Sequence, residues 1–230
     1  MIRSQREANA AHRLGETVIL VHGIGRQKGS MRAMAAGLAT HGFNILNWGY
    51  RSMRQTIAAS ADALYRCYAL AEPLNDQIHF VTHSLGGIVL RCMLKQHPAA
   101  KLGRIVMIAP PNQGSAVARM LLSGPPLKWL YGPAGQELMS AALLTKICAI
   151  PDTKTLIIAG TKSLDWKNPT SWITHGRLQE PNDGTVTVEE TRLASNDESL
   201  LIADSHTFLP RNPVAVNATI RFLSSETTPK

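Results

Sequence analysis

The chain has few aromatic side chains, few charges and no long hydrophobic run. Aromatic residues make up 5% of its 230 residues and charged residues 17%, while hydrophobic residues reach 44%. No apolar stretch approaches the roughly 18 residues that a membrane-spanning helix needs, and the N-terminal residues lack the apolar core of a secretory signal. This composition is typical of a globular protein that buries a core. We expect one unexported, cytoplasmic domain over residues 1–230.

The residue patterns of metal and nucleotide sites are also missing. The three cysteines, Cys67, Cys92 and Cys148, are odd in number and lie in apolar contexts, which favours buried free thiols in a reducing compartment. The histidines and cysteines show no closely spaced ligand pairs. Residues 23–25 (Gly-Ile-Gly) lack the third glycine of a dinucleotide turn, and the chain has no P-loop. We therefore expect no metal and no cofactor.

The net charge of +8 is concentrated in the first 104 residues. The arginines and lysines of this part are dispersed and have no aromatic residues between them for base stacking, which argues against a nucleic-acid partner. Two interpretations of the basic half stay open. It is a solvated basic face, or it makes peripheral contact with an anionic membrane.

Short apolar runs alternate with amphipathic segments, which predicts an α/β fold with a mostly parallel sheet of about six strands flanked by helices. The predicted strands are 17–21, 43–48, 78–82, 104–109, 155–159 and 200–203. The predicted helices are 30–40, with Ser30 as its cap, 55–71, 84–96 and 213–222, with Asn212 as the cap of the last.

Residues 111–150 interrupt this alternation. The segment is too long for a plain connection and too apolar for a disordered one. We expect a small flap over a functional site, and an ordinary pair of surface helices is the alternative.

The most informative stretch is residues 78–90, where an apolar run stops at Thr82-His83-Ser84-Leu85-Gly86-Gly87 and a helical run follows at once. A serine between a strand and a helix, with glycines directly after it, is the pattern of a nucleophile elbow. The sharp turn exposes the hydroxyl, and the helix N-terminus offers free N–H groups beside it. Ser84 is therefore the candidate nucleophile.

A serine nucleophile needs a histidine base and a carboxylate that orients it. In a fold with this elbow, the partners follow in the order serine, acid, histidine. Of the eight histidines, only His206 lies late in the chain and after a predicted strand, so it is the candidate base. Asp183, in an Asn-Asp-Gly turn, is the preferred acid. Asp165 remains its rival because it lies closer to the end of the strand 155–159.

Residues 17–25 predict a strand that runs into a glycine-bearing loop, His22-Gly23-Ile24-Gly25. Such a loop brings one backbone N–H, that of Ile24, toward the serine, and the second donor is the N–H of Leu85. These two groups are the candidate oxyanion donors. We interpret His22 as a hydrogen-bonding support of the loop and His83 as a residue that packs beneath the elbow.

Four segments together, 22–25, 82–87, 182–184 and 205–206, resemble those of the α/β-hydrolase superfamily, in particular its small lipases and carboxylesterases. The resemblance extends over about 17–222. It implies Ser84 as nucleophile, Asp183 as acid and His206 as base, with Ile24 and Leu85 as oxyanion donors and no cofactor.

Two positions depart from the family pattern. Thr82 stands where the elbow pentapeptide usually begins with glycine. Asp183 lies more than 20 residues beyond its strand, so residues 161–180 would form an extra loop near the site mouth, with Trp166 and Trp172 as walls.

We interpret the chain as a serine carboxylesterase acting on a small ester or lipid, with Leu127, Trp129 and Leu130 of the flap on the acyl side of the substrate. Two alternatives stay open. One is a lipase or phospholipase acting at a lipid surface, and the other is a catalytically silent α/β-hydrolase that binds a ligand.

Overall fold

The central element of the chain is a six-stranded sheet in the order β2-β1-β3-β4-β5-β6, and every neighbouring pair is parallel. A computed structural model describes residues 15–122, 125–193 and 198–225, with side chains for all of these except 122–130. The strands are β1 (Glu16–Val21), β2 (Asn44–Trp48), β3 (Gln77–His83), β4 (Leu102–Ile108), β5 (Thr155–Gly160) and β6 (Glu198–Ile202). The predicted α/β fold with six mostly parallel strands is confirmed.

Helices flank the sheet. In chain order they are α1 (Arg32–Ala39), α2 (Ile57–Ala71), α3 (Leu85–Gln96), α4 (Ala116–Leu122), α5 (Pro125–Glu137), α6 (Ala141–Ile147), α7 (Pro169–Thr174), α8 (Val188–Thr191) and α9 (Pro213–Ser224). No helix in the described ranges is both long enough and apolar enough to cross a membrane.

Two hydrophobic cores lie on opposite faces of the sheet, because successive side chains of a strand point to opposite sides. Along β1, Ile19 packs in the core that holds α2 and α3, whereas Leu20 packs in the core that holds α1 and α9. The inner strands are buried on both faces, which explains why they are nearly continuous runs of Val, Ile and Leu.

The helix caps partly follow the predictions. Asn212 caps α9 as expected, since its side chain accepts a hydrogen bond from the N–H of Val214 at 2.8 Å. Ser30 as a helix cap is wrong. Its hydroxyl donates to the carbonyl of Gln27 at 2.8 Å inside a short 3-10 turn, and α1 begins only at Arg32, without a side-chain cap.

Residues 111–150, the predicted flap, contain α4, α5 and α6 in their described part. The segment bends at Gly132, which has a φ of 65° and lies against the backbone of Met53. A methyl group at Gly132 would stand 1.8 Å from the carbonyl oxygen of Met53, so only glycine fits there.

The carboxyl ends of parallel strands meet at one edge of the sheet, where open α/β folds place their sites. The loops after β1, β3, β5 and β6 lead from this edge. Most of the candidate residues predicted from the sequence lie in these loops.

Candidate active site

Ser84 occupies a strained turn between β3 and α3. Its φ of 52° and ψ of −124° lie where side chains other than glycine are rarely found. The N–H of Ser84 donates to the carbonyl of Ile108 at 2.8 Å, which fixes the turn on β4. Leu85 is the first residue of α3, where a backbone N–H has no acceptor within the helix.

Small residues after Ser84 let α3 pack directly against β1. A Cβ at Gly86 would lie 2.5 Å from the carbonyl oxygen of Val21, a distance that side chains do not tolerate. Thr82, the departure from the usual pentapeptide, is fully buried, with its hydroxyl 3.5 Å from the carbonyl of Val106. The threonine therefore fits between the strands without displacing the elbow.

His206 is bonded to Asp183, at the C-terminal edge of the sheet. Nδ1 of His206 donates to Oδ2 of Asp183 at 2.8 Å, and the backbone N–H of His206 donates to the carbonyl of Asp183 at 3.0 Å. The second carboxylate oxygen accepts from the N–H groups of Thr185 and Val186. Asp183 is 1% exposed, so its carboxyl group is buried, and both of its oxygens accept hydrogen bonds.

Asp183 reaches His206 although it is distant in sequence from the end of β5. The chain leaves β5 at Gly160, makes an excursion over 161–182 that includes α7, and returns. A Cβ at Gly160 would stand 2.7 Å from the Cβ of Asp183, so the two residues are in direct contact. In the folded protein, Asp183 therefore lies at the C-terminal end of β5.

The two other aspartates nearby have other partners. Asp165 accepts from the hydroxyl of Ser205 and from Nζ of Lys162, both at 3.0 Å, and backbone and lysine hydrogen bonds hold its pKa below the usual value. Asp204 accepts from the side chain of Asn212. Of the three carboxylates, Asp183 is the one bonded to the imidazole of His206.

His83 packs against His206, with ring centroids 4.8 Å apart. Its Nε2 donates to the backbone carbonyl of His206 at 3.1 Å, and burial, followed by the charges of its neighbours, holds its pKa well below 6.5. The ring is therefore neutral. Through this hydrogen bond His83, which directly precedes Ser84, is connected to the backbone of the candidate base, His206.

The loop after β1 is held by His22, as expected. Nδ1 of His22 donates to the carbonyl of Gly23 at 2.9 Å, and Nε2 accepts from the N–H of Tyr50 at 3.4 Å. Burial lowers the pKa of His22, which keeps this arrangement neutral. A Cβ at Gly23 would lie 3.0 Å from the Cβ of Ser84, so glycine allows the loop to approach the serine closely.

These elements surround a cleft of about 350 Å³. Ser84, His206 and Ile24 lie on its surface. Its apolar wall comes from the segment 111–150 and consists of Pro111, Val117, Ala118, Leu121 and Leu138. The side chains of Leu127, Trp129 and Leu130 lie outside the described residues, so their predicted contact with the acyl chain stays a prediction.

The expectation that Trp166 and Trp172 wall the cleft is wrong. Neither side chain lines the cleft, and their exposed fractions are 73% and 58%. The same excursion contributes Asn168 and Thr170 to the cleft instead. These two polar residues were missed because an isolated Asn or Thr in a loop carries no sequence signal. Arg26 was missed as well, although it directly follows the glycine loop.

A family model described as "Domain of unknown function (DUF7379)" matches residues 2–121. The chain belongs to this family. The matched part contains the loop after β1, the elbow and the start of the segment 111–150, and Asp183 and His206 lie beyond it. A comparison with curated protein sequences gave no match.

Solved structures similar to this chain have the α/β-hydrolase fold, and so does this protein. One is lipase BlEst2 from Bacillus licheniformis in its mature form, with a TM-score of 0.75, 17% identity and coverage of 91% of this chain and 92% of the lipase. A metagenomic carboxyl esterase, MGS0156, has a TM-score of 0.72, 18% identity and coverage of 91% and 76%. Phospholipase PlaB from Legionella pneumophila has a TM-score of 0.60, 19% identity and coverage of 77% and 45%.

Proposed function

We propose that the protein hydrolyses carboxylic esters through an acyl-serine intermediate. The observation that carries this proposal is the strained turn at Ser84, which shares one cleft with an imidazole held by the buried Asp183. The likeness in fold to lipases and esterases supports the same class of reaction.

Acylation of Ser84 begins when its hydroxyl oxygen attacks the ester carbonyl while Nε2 of His206 takes the proton. The carboxylate of Asp183 keeps the proton on Nδ1 and stabilises the imidazolium that forms. The N–H groups of Ile24 and Leu85 stabilise the oxyanion of the tetrahedral intermediate.

Deacylation uses the same groups. His206 gives its proton to the departing alcohol, and its Nε2 then activates a water molecule that attacks the acyl-serine. The carboxylic acid leaves, and Ser84 recovers its proton. The apolar wall with Val117, Leu121 and Leu138 accommodates the acyl chain during both steps.

The test is hydrolysis of p-nitrophenyl esters from acetate to palmitate by the wild type and by Ser84→Ala. Removing the nucleophile of such a triad lowers kcat by about 10⁶. Ser115→Ala is the matched control, because Ser115 also lines the cleft but its hydroxyl accepts from the N–H of Ala118 at the start of α4. We expect this variant to keep the activity of the wild type.

The length of the best acyl chain then distinguishes an esterase from a lipase. An absence of Ser84-dependent turnover on every ester would contradict the proposal, and would favour another acyl bond or a silent binding protein.

A second candidate function is ester hydrolysis at a lipid surface. The excursion that contributes Asn168 and Thr170 to the cleft exposes four large apolar side chains, Leu164, Trp166, Trp172 and Ile173. Nζ of Lys167 lies 5.1 Å from the ring centre of Trp166. Exposed tryptophan beside lysine is typical of peripheral contact with anionic lipids.

Co-sedimentation with anionic and with neutral vesicles tests this second function. We expect Trp166→Ser to weaken binding to anionic vesicles. Leu74→Ser is the control, because Leu74 is 81% exposed but precedes β3, at the opposite edge of the sheet. Equal binding by both variants and the wild type would exclude the excursion as the membrane contact.

A further inference from the structure

Arg26 is the one cationic side chain among the described residues that line the cleft, apart from the histidines. It follows Ile24 in the loop after β1, and a turn is closed there by the N–H of Arg26, which donates to the carbonyl of Gly23 at 3.3 Å. Gly25, with a φ of 62°, makes this turn without strain. The loop therefore places a fixed positive charge beside the candidate oxyanion donor.

The guanidinium of Arg26 is bonded to the residue that follows His206. Its Nη2 donates to the hydroxyl of Thr207 at 2.7 Å, and Thr207 directly follows His206. In the proposed reaction the alcohol leaves on the side where His206 delivers its proton. Because Arg26 contacts the residue next to this base, we assign it to the leaving-alcohol side of the cleft and the apolar wall to the acyl chain.

No carboxylate of the described residues forms an ion pair with Arg26, and none lines the cleft. A second cation, Arg211, stacks on the ring of Phe208 at 4.1 Å. Arg26 is exposed as a whole, and partial loss of solvent around its guanidinium, followed by the charge of Arg211, lowers its pKa. Two like charges without an acidic partner repel each other, and a bound anion removes that repulsion.

We propose that Arg26 binds an anionic group, best represented by phosphate, on the alcohol portion of the ester. This inference rests on the ester hydrolysis proposed above and names its substrate class. The bond to Thr207 uses one of the several N–H donors of the guanidinium, and the others remain available for a bidentate contact with phosphate oxygens. Arginine suits this role better than lysine because its planar fork matches the oxygens of phosphate.

Two substrates that differ only in one phosphate group test the proposal. One is an octanoyl monoglyceride, and the other is the same monoglyceride with a phosphate on its terminal hydroxyl. We expect the wild type to have a kcat/KM about tenfold or more higher for the phosphorylated substrate, since a hydrogen bond to a charged group has about this effect. In Arg26→Gln this preference should disappear, and Arg26→Lys should retain part of it.

Lys28→Gln is the matched control, because Lys28 is an exposed cation two residues further along that does not line the cleft. It should keep the full preference. The readout is the ratio of the two kcat/KM values, so a general loss of activity in the Arg26 variants does not affect it. Equal ratios in the wild type and Arg26→Gln would overturn the proposal.

A separate experiment measures inhibition by inorganic phosphate. Competitive inhibition of monoglyceride hydrolysis by phosphate, without any preference for the phosphorylated ester, would indicate a site for a free anion and would overturn the substrate class. Ser84-dependent hydrolysis of the neutral monoglyceride without a charge preference would leave the proposed function standing and reject this inference alone. No Ser84-dependent hydrolysis of either substrate would reject both.

Discussion

His206 is joined to Asp183 twice, once through its imidazole Nδ1 at 2.8 Å and once through its backbone N–H at 3.0 Å. The backbone contact positions the histidine loop even when the side-chain contact is changed. A substitution of the Asp183 carboxylate should therefore change the protonation and tautomer of the His206 imidazole more than the position of the ring.

Asp183→Asn should lower kcat for ester hydrolysis by about 10⁴, because an amide no longer holds the correct tautomer of the histidine. Asp165→Asn is the matched control, since Asp165 accepts from the hydroxyl of Ser205, whereas the imidazole of His206 is bonded to Asp183. We expect that variant to lose less than about tenfold. A larger loss in Asp165→Asn than in Asp183→Asn would reverse the assignment of the acid.

Gly23→Ala should lower kcat by about tenfold or more with little change in thermal stability. The added methyl group would lie 3.0 Å from the Cβ of Ser84 and 3.1 Å from Nδ1 of His83, so the loop must shift by a few tenths of an ångström. Such a shift misaligns an oxyanion donor. Gly29→Ala, which meets no atom within 4 Å, should have the activity of the wild type. Full activity in Gly23→Ala would exclude this loop from oxyanion stabilisation.

His83 should make the protein less stable in acid. Its pKa is held well below 6.5 in the folded state, so below about pH 6.5 the unfolded chain binds a proton that the folded chain does not. The free energy of unfolding then falls as the pH falls, by about 1.4 kcal/mol per pH unit for this one group.

Urea unfolding at several pH values measures this slope. His83→Gln keeps a donor for the carbonyl of His206 and removes the titrating ring, so its stability should decrease less steeply below about pH 6.5 than that of the wild type. His175→Gln, on the exposed surface, is the control. Parallel curves for the wild type and His83→Gln would contradict the prediction.

Gly132→Ala should destabilise the segment 111–150 by more than a positive φ alone explains. With a φ of 65° and a ψ of −172°, Gly132 has a backbone conformation that is essentially restricted to glycine and that costs another residue roughly 1–3 kcal/mol. Here the methyl group also collides with the carbonyl of Met53. Gly176→Ala separates the two effects, since Gly176 has a φ of 70° but nothing within 4 Å. The difference in Tm between the two variants measures the packing on Met53. Equal Tm values would mean that the backbone around Met53 moves away from the added methyl group with no measurable loss of stability.

The strands could be predicted because buried parallel strands are short runs of Val, Ile and Leu with glycine or polar residues at their ends. The elbow could be predicted because Gly86 and Gly87 follow a serine at the point where the apolar residues change from the pattern of a strand to the spacing of a helix. All six strands and the turn at Ser84 lie where they were expected, within a few residues. The cap at Ser30 failed because a hydroxyl near a helix start has two local partners to choose between, and here it bonds within the preceding turn.

The rest depends on contacts between distant residues. Helices such as α7 and α8, with 6 and 4 residues, are too short to display a period. The sequence distance between Gly160 and Asp183 conceals that they touch, because only the folded excursion brings them together. Likewise, the outward direction of Trp166 follows from the path of that excursion, and a tryptophan in isolation favours burial.

Both ends of the excursion over 161–182 are anchored by contacts. Gly160 belongs to the sheet, and the carboxylate of Asp183 is bonded by the N–H groups of its own turn at Thr185 and Val186. Between these points the chain supplies polar side chains to the cleft and exposes its tryptophans, yet contributes no strand to the sheet. Related chains could therefore exchange this excursion for one of another length or composition, and thereby acquire a different substrate while the residues around Ser84 and His206 remain unchanged.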